Sequence, residues 1–279
     1  MITVINDRTR AEFQFRRGEI HAFLNPYTYL KLRENPRTLE HFDQVHFDGI
    51  SLCRIYSWLG LKTVARRSFD MTSVAKDVFE LAGRTGKRVA FVGTEEGVID
   101  DAVETLQQTF SLNVAAKRHG FFSSEEEIRD YQRHLLDINP DIVIVGMGAV
   151  RQEKFLAQLQ DLGWNGTGFT CGGFLHQTAA RLNFYPPVFD RLNLRWVYRI
   201  WKDPYVLQRY LLDYPKFLLL FAKDYLDWRR SHQSQRGTND GVEEHRPRMG
   251  SHSKLPAAPE ALMAVKRPSE HEAQAGVRV

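Results

Sequence analysis

DIVIVGMGAVRQEKF, residues 141–155, decides the fold of this chain. Asp141 to Val145 is an uninterrupted run of mostly β-branched apolar residues. That is the pattern of a strand buried on both faces, as in a parallel sheet, and not of a half-exposed one. Gly146-Met-Gly148 closes the run, and Gln152 to Leu162 then follows helical spacing. Strand, glycine turn and helix make one βα unit.

The same unit recurs on either side. Ile20 to Leu24 reads as a strand, followed by a helical stretch around Tyr29 to Arg33 that Pro36 stops. Val45 to Phe47 is a short strand ending at Asp48-Gly49. Arg88 to Val92 is a strand closed by Gly93, with helical spacing from Val98 to Phe110. Leu112 to Ala116 is a further strand, and Ser124-Glu-Glu-Glu127 opens a capped helix to about Asp137. Thr167 to Cys171 is the last strand, before Gly172-Gly173. Strands alternating with helices predict an α/β fold, a Rossmann-like, mostly parallel sheet flanked by helices.

Beyond Trp196 the composition changes. Tyr210, Tyr214, Phe217, Phe221, Tyr225 and Trp228 recur at spacings of three and four, with Arg209, Lys216, Lys223, Arg229 and Arg230 among them. Asp213 before Tyr214-Pro215 suggests a helix start. The spacing predicts an aromatic helical face that suits domain packing, an oligomer contact or the headgroup layer of an anionic bilayer. From about Ser231 the chain is polar and without periodicity, the pattern of a disordered tail. The expected divisions are therefore 1–195, an α/β domain; 196–230, a helical appendage; and 231–279, a tail.

A formal charge of +4 with no basic tract before Arg195 does not point to nucleic acid. Cys53 and Cys171 lack metal-ligand spacing and read as reduced, packed thiols of a cytoplasmic protein. The first residues hold no apolar signal core, and no window reaches the length needed to span a bilayer.

In an open parallel sheet ligands bind beyond the carboxyl ends of the strands. Asn25, Asp48-Gly49 and Gly146-Met-Gly148 leading to Gln152 fall there. Asp48 is a candidate general base, although Asp-Gly is also a common turn. The glycine turns at Gly93–Gly97 and Gly146–Gly148 precede helices whose free amides suit a phosphate, but neither fits G-x-G-x-x-G. Arg199 and Arg209 bring the forked donors that suit a diphosphate.

Over roughly Ile20 to Leu226 the chain resembles the WecG/TagA/CpsF family of bacterial glycosyltransferases. The match is carried by Asn25, by Asp48-Gly49, by Val145-Gly-Met-Gly-Ala-Val-Arg-Gln-Glu153, by Thr170-Cys-Gly-Gly173, by Phe184-Tyr-Pro186, by Arg195-Trp-Val-Tyr-Arg199 and by Gln208-Arg209-Tyr210. From Gly146 to Tyr210 the register needs no gap. The resemblance implies transfer of a hexose or N-acetylhexosamine-type sugar from a UDP-sugar to a polyprenyl-diphosphate-linked acceptor, in extracellular or cell-wall polysaccharide synthesis.

It implies Asp48 as catalytic base and Gln152 in the active site. Asn25, Gly146, Gly148, Arg199 and Arg209 would bind substrate, with Arg66 or Arg67 as the active-site arginine. No metal or other cofactor is expected. Peripheral attachment to the inner face of the cell membrane and possible homo-oligomers follow from the same resemblance. Phe23, His176, Phe184, Arg195 and Val206 depart from the family pattern and alter the pocket wall. A non-catalytic relative that scaffolds polysaccharide assembly is the alternative; a nucleotide-dependent oxidoreductase ranks below it, because Asn25-Pro26 stands where its phosphate fingerprint would be.

Overall fold

A computed structural model of the chain describes residues 1–182, 189, 197–198, 200 and 207–243, with the side chains of 209–210 and 234–243 excepted. The chain divides into a body from Met1 to Ser234 and a second unit from Gln235 onward. Described strands are β1 (Ile20–Leu24), β2 (Gln44–Phe47), β3 (Arg88–Gly93), β4 (Asn113–Arg118), β5 (Ile142–Gly146) and β6 (Thr167–Thr170). All pair in parallel in one 6-stranded sheet, in the order β2-β1-β6-β5-β3-β4. The run at 141–155 lies at its centre, and the strands expected from sequence are all present.

Side chains alternate cleanly between the two faces. Ile20, Ala22, Leu24, Val45, Phe47, Ala90, Val92, Val143 and Val145 enter one cluster. Phe23, Val89, Phe91, Ile142, Ile144 and Phe169 enter the other. The first face is covered by α1 (Ile2–Arg8), α2 (Pro26–Leu32), α3 (Ile50–Trp58), α6 (Glu125–Ile138) and α7 (Arg151–Asp161). The second is covered by α4 (Val74–Thr85), α5 (Val98–Phe110) and α8 (Phe174–Ala180). A sheet buried on both faces cannot show polar alternation, which is why its strands read as continuous apolar runs.

Local chemistry sets the helix starts. Asn25 caps α2, its Oδ1 accepting from the Thr28 N–H at 3.0 Å, and Pro26 supplies the first turn. Ser124 caps α6 at the Glu127 N–H, as the sequence pattern predicts. Helices α1, α3, α4 and α8 go beyond that reading. Of these α4 carries a clear signal, with Val74, Ala75, Val78, Phe79 and Ala82 on one buried face and Gly86 in the left-handed C-cap.

Arg209–Asp213 forms a π-turn, and α9 (Tyr214–Glu243) follows with Pro215 in its first turn. The helix continues past Arg230 to Glu243, through residues where the sequence suggests a tail without structure. The expected boundary at 195/196 lies outside the described residues. The aromatic face of α9 turns inward: Phe217 and Phe221 are buried, each with its ring 5.3 Å from that of Tyr29. Tyr225 donates to the Leu59 carbonyl at 3.2 Å. Asp224 accepts from Tyr29 Oη at 2.7 Å and from Arg33 Nε and Nη2 at 2.8 and 2.7 Å. These aromatics thus close the core over α2 and α3 and do not face a bilayer. The opposite side of α9 carries Lys216, Leu219, Lys223, Leu226 and Arg230, all exposed, with Leu219 75% so. No helix among the described residues is long and apolar enough to cross a membrane.

Candidate active site

Because every described strand is parallel, all the strand ends named from sequence share one edge. Across the sheet that edge reads Asp48, Asn25, Cys171-Gly172, Gly146-Met147 and Gly93-Thr94. Neighbouring loops are knitted by main-chain bonds. The Asp48 N–H donates to Leu24 O at 2.7 Å, the Cys171 N–H to Val145 O at 2.8 Å and the Thr94 N–H to Gly146 O at 3.1 Å.

Asp48 stands at the tip of β2, half exposed. Gly49 follows with φ +140°, a backbone state that only glycine adopts cheaply, and a side chain there would touch Asn25 and Pro26 at 3.8 Å. That turn aims the carboxylate away from the core. Arg66 Nη2 lies 3.8 Å from Asp48 Oδ1 and 3.3 Å from Asp70 Oδ2, and donates to Ser68 Oγ at 2.7 Å. The placement is made by the backbone: Arg66 bridges in parallel to Phe47, and the Arg67 N–H donates to Phe47 O at 2.8 Å. Consecutive residues then point in opposite directions, so Arg67 donates instead to the carbonyls of Arg10 and Ala11. Arg66, not Arg67, is the arginine beside the carboxylate. Ser68 and Asp70, which hold its guanidinium, were not singled out from sequence.

Asn25 spends its Oδ1 on the α2 cap, so it shapes the β1 end as well as lining it. Gly146 is needed for close approach: a Cβ there would sit 2.8 Å from Cys171 Sγ and 2.9 Å from Gly172 O. Gly148 has φ +81°. Gln152 is buried and committed at both ends of its amide. Its Oε1 accepts from the Gly172 N–H at 3.1 Å, and its Nε2 donates to Glu153 Oε1 at 2.8 Å. These two bonds fix the orientation of the amide and leave one N–H and one oxygen lone pair unspent.

Arg199 lies outside the described residues, as do Phe184, Arg195 and Val206. For Arg209 the backbone alone is described, in the π-turn. Phe23 is a buried core residue against His46 and Phe69, at ring distances of 4.9 and 5.8 Å. His176, exposed on α8, lies 3.6 Å from Glu95 across the β3 turn. With Asp100 and Asp101 in the first turn of α5, the positive helix end at Gly93–Gly97 is already offset by carboxylates, which disfavours a phosphate there.

Burial pushes the Cys53 thiol up to about 11, and Cys171 is also pushed up, so both are poor nucleophiles. Among the described residues no three His, Cys, Asp or Glu side chains gather in a metal-binding group.

The glycosyl transferase WecG/TagA/CpsF family model matches residues 2–231. The chain belongs to this family. It is 32% identical over 206 residues to a Shigella boydii protein named UDP-Gal:alpha-D-GlcNAc-diphosphoundecaprenol beta-1,4-galactosyltransferase, covering 74% of this chain and 86% of that one. It is 24% identical over 212 residues to a Bacillus spizizenii protein named N-acetylglucosaminyldiphosphoundecaprenol N-acetyl-beta-D-mannosaminyltransferase, covering 74% and 80%. As a family member the chain is a transferase of polysaccharide biosynthesis, and Asp48 and the Gly146–Gly148 turn lie on the edge just described.

Proposed function

We propose that this chain moves a hexose or N-acetylhexosamine-type sugar from a UDP-sugar to a sugar borne on a polyprenyl diphosphate, with inversion at the anomeric carbon. The observation that carries the reading is the Asp48 carboxylate, turned off the tip of β2 beside Arg66 on the edge shared with the glycine turns. The relatives' names support the acceptor, since both describe transfer to an N-acetylglucosaminyl-diphosphoundecaprenol.

In this mechanism Asp48 takes the proton of the acceptor hydroxyl as its oxygen attacks the anomeric carbon. The bond from that carbon to the diphosphate breaks, and UDP leaves with the electron pair. Arg199, Arg209 and the amides around Gly146 and Gly148 hold the growing negative charge. Arg66 fixes the orientation of Asp48, and Asn25 lines the acceptor side. Gln152 acts by shaping the Gly172 turn. No metal takes part.

A lipid-linked acceptor requires the body to work at a membrane surface. The exposed lysines and leucines of α9 suit an anionic inner leaflet, with the leucines entering the interface and the lysines meeting headgroups. Homo-oligomers remain compatible with this arrangement.

The test is turnover of a panel of UDP-sugars by wild type and Asp48→Asn. Loss of a general base lowers turnover roughly a hundredfold or more. A folded Asp48→Asn variant that keeps wild-type turnover removes Asp48 from that role.

A further inference from the structure

We infer that Glu153 is a positioning residue whose charge state sets the orientation of the Gln152 amide and, through it, the Gly172-Gly173 turn at the sheet edge. The effect on turnover rests on the transferase reading; the hydrogen-bond switch does not.

Glu153 is fully buried in the first turn of α7. Its Oε2 accepts from the Val150 N–H at 2.6 Å and its Oε1 from Gln152 Nε2 at 2.8 Å. Gln152 Oε1 in turn accepts from the Gly172 N–H at 3.1 Å. A main-chain donor stands at each end of this relay, and neither can be reversed. The relay therefore permits one amide orientation for Gln152 and asks Glu153 to accept on both oxygens, as a carboxylate does.

A proton taken from solvent by Glu153 creates an O–H that meets a donor on either side. Turning the Gln152 amide relieves the conflict at Glu153, but then sets its NH2 group against the Gly172 N–H. One proton thus breaks the side-chain tie between α7 and the β6 turn, while the main-chain bond from the Cys171 N–H to Val145 O stays. Val150 depends on the same carboxylate. It is a β-branched residue at φ +75°, a costly backbone state that the Glu153 bond helps hold.

The switch falls in a useful range. Burial pushes the Glu153 carboxyl up to about 7, against the lowering effect of hydrogen bonds from Gln152, its own N–H and the Val150 N–H. No charged neighbour is among these causes. Arg151 and Lys154 of α7 are exposed, and α6 presents the uncharged Gln132 and the phenol of Tyr131, which burial pushes up to about 12. At the end of β6 the Cys171 thiol is likewise kept neutral by burial, and His41 of the 3-10 segment Pro36–His41 faces Asp161 at the far end of α7.

The experiment is amide hydrogen exchange by NMR on the full chain, read as the protection factor of Gly172 at pH 6 and pH 8. Wild type should gain about tenfold in protection at the higher pH, the worth of one hydrogen bond. Glu153→Gln, which cannot accept from both donors, should show low protection at both values. Gln152→Met, which cuts the relay without touching Glu153, should do the same and serves if the first variant fails to fold. A pH-independent Gly172 in wild type, or a wild-type profile in Glu153→Gln, overturns the inference.

With UDP-sugars, wild-type kcat should rise through pH about 7 and that rise should vanish in Glu153→Gln. Gly172 protection that follows Glu153 without turnover of any UDP-sugar upholds the switch and sinks the transferase reading. Turnover with superimposable profiles sinks the switch alone.

Discussion

Replacing Asp224 by alanine tests whether α9 belongs to the body, and its cost can be worked from the contacts. The substitution removes the acceptor for Arg33 Nε, Arg33 Nη2 and Tyr29 Oη, all within 2.7–2.8 Å. A solvent-exposed ion pair is worth at most about 1 kcal/mol. Breaking one side of a fully buried pair costs about 3–5 kcal/mol, because the remaining charge is stranded. Here Arg33 and Asp224 are 28% and 13% exposed, between those limits. We therefore expect a loss of about 2–3 kcal/mol, which for a body of this size lowers Tm by roughly 5–10 °C. Burial works to raise the Asp224 carboxyl, but the bonds from Arg33 and Tyr29 outweigh it and hold it below the usual range, so the pair persists at neutral pH. Thermal and urea unfolding of Asp224→Ala, Arg33→Met and the double variant supply the coupling energy. A single-variant loss under about 0.5 kcal/mol with no coupling would mean that α9 is not docked on α2 in solution.

Further expectations follow from the same packing. Phe221→Ala should cost about 3–5 kcal/mol by urea unfolding, since the ring is buried against Tyr29 and Tyr56. Leu219→Glu with Leu226→Glu should leave the unfolding midpoint nearly unchanged while reducing co-sedimentation with anionic vesicles; undiminished sedimentation would count against that face. Arg66→Ala should impair turnover far more than Arg67→Ala, and equal effects in kinetics would undo the assignment beside Asp48. His21 and His46, buried with Nδ1 and Nε2 3.1 Å apart, give stability a pH dependence. Burial lowers both, His46 to about 3, so between pH 6.5 and that value the unfolded chain binds the extra protons. The contribution of the two histidines is thus complete above pH 6.5 and is lost as pH drops, by up to about 1.4 kcal/mol per pH unit for each. Measured in Glu153→Gln, which removes the opposing contribution of a carboxyl raised to about 7, urea midpoints unchanged from pH 7 to pH 5 would contradict this.

The strands were legible because burial on both faces leaves each as a short apolar run closed by glycine or a polar residue, and Ile142–Val145 is the clearest of them. Among the helices α5, α6 and α7 announced themselves by spacing and caps. Helices α1, α3 and α8 are too short for their apolar residues to establish a period. The site was legible as far as strand ends: parallel pairing puts Asn25, Asp48, Gly146 and Gly172 on one edge wherever the strands lie in the order. What could not be read was the direction of each side chain. Arg66 and Arg67 are chemically alike, and only the bridge to Phe47 decides which one meets Asp48. Nothing in the spacing marks Glu153, whose burial and two donors come from the fold.

The aromatic residues of α9 mark the same divide. Their spacing determined a helix with one aromatic face, because a period of three and four is a property of the chain alone. Whether that face meets lipid or protein is a question of what lies opposite, and Tyr29, Tyr56 and Arg33 come from segments far earlier in the chain. Composition likewise determined the parallel sheet, since strands without polar alternation need cover on both sides. Tertiary packing alone decided which arginine faces the carboxylate, which side of α9 remains for a membrane, and that Gln152 is bound into the scaffold, because each depends on distances between residues that sequence keeps apart.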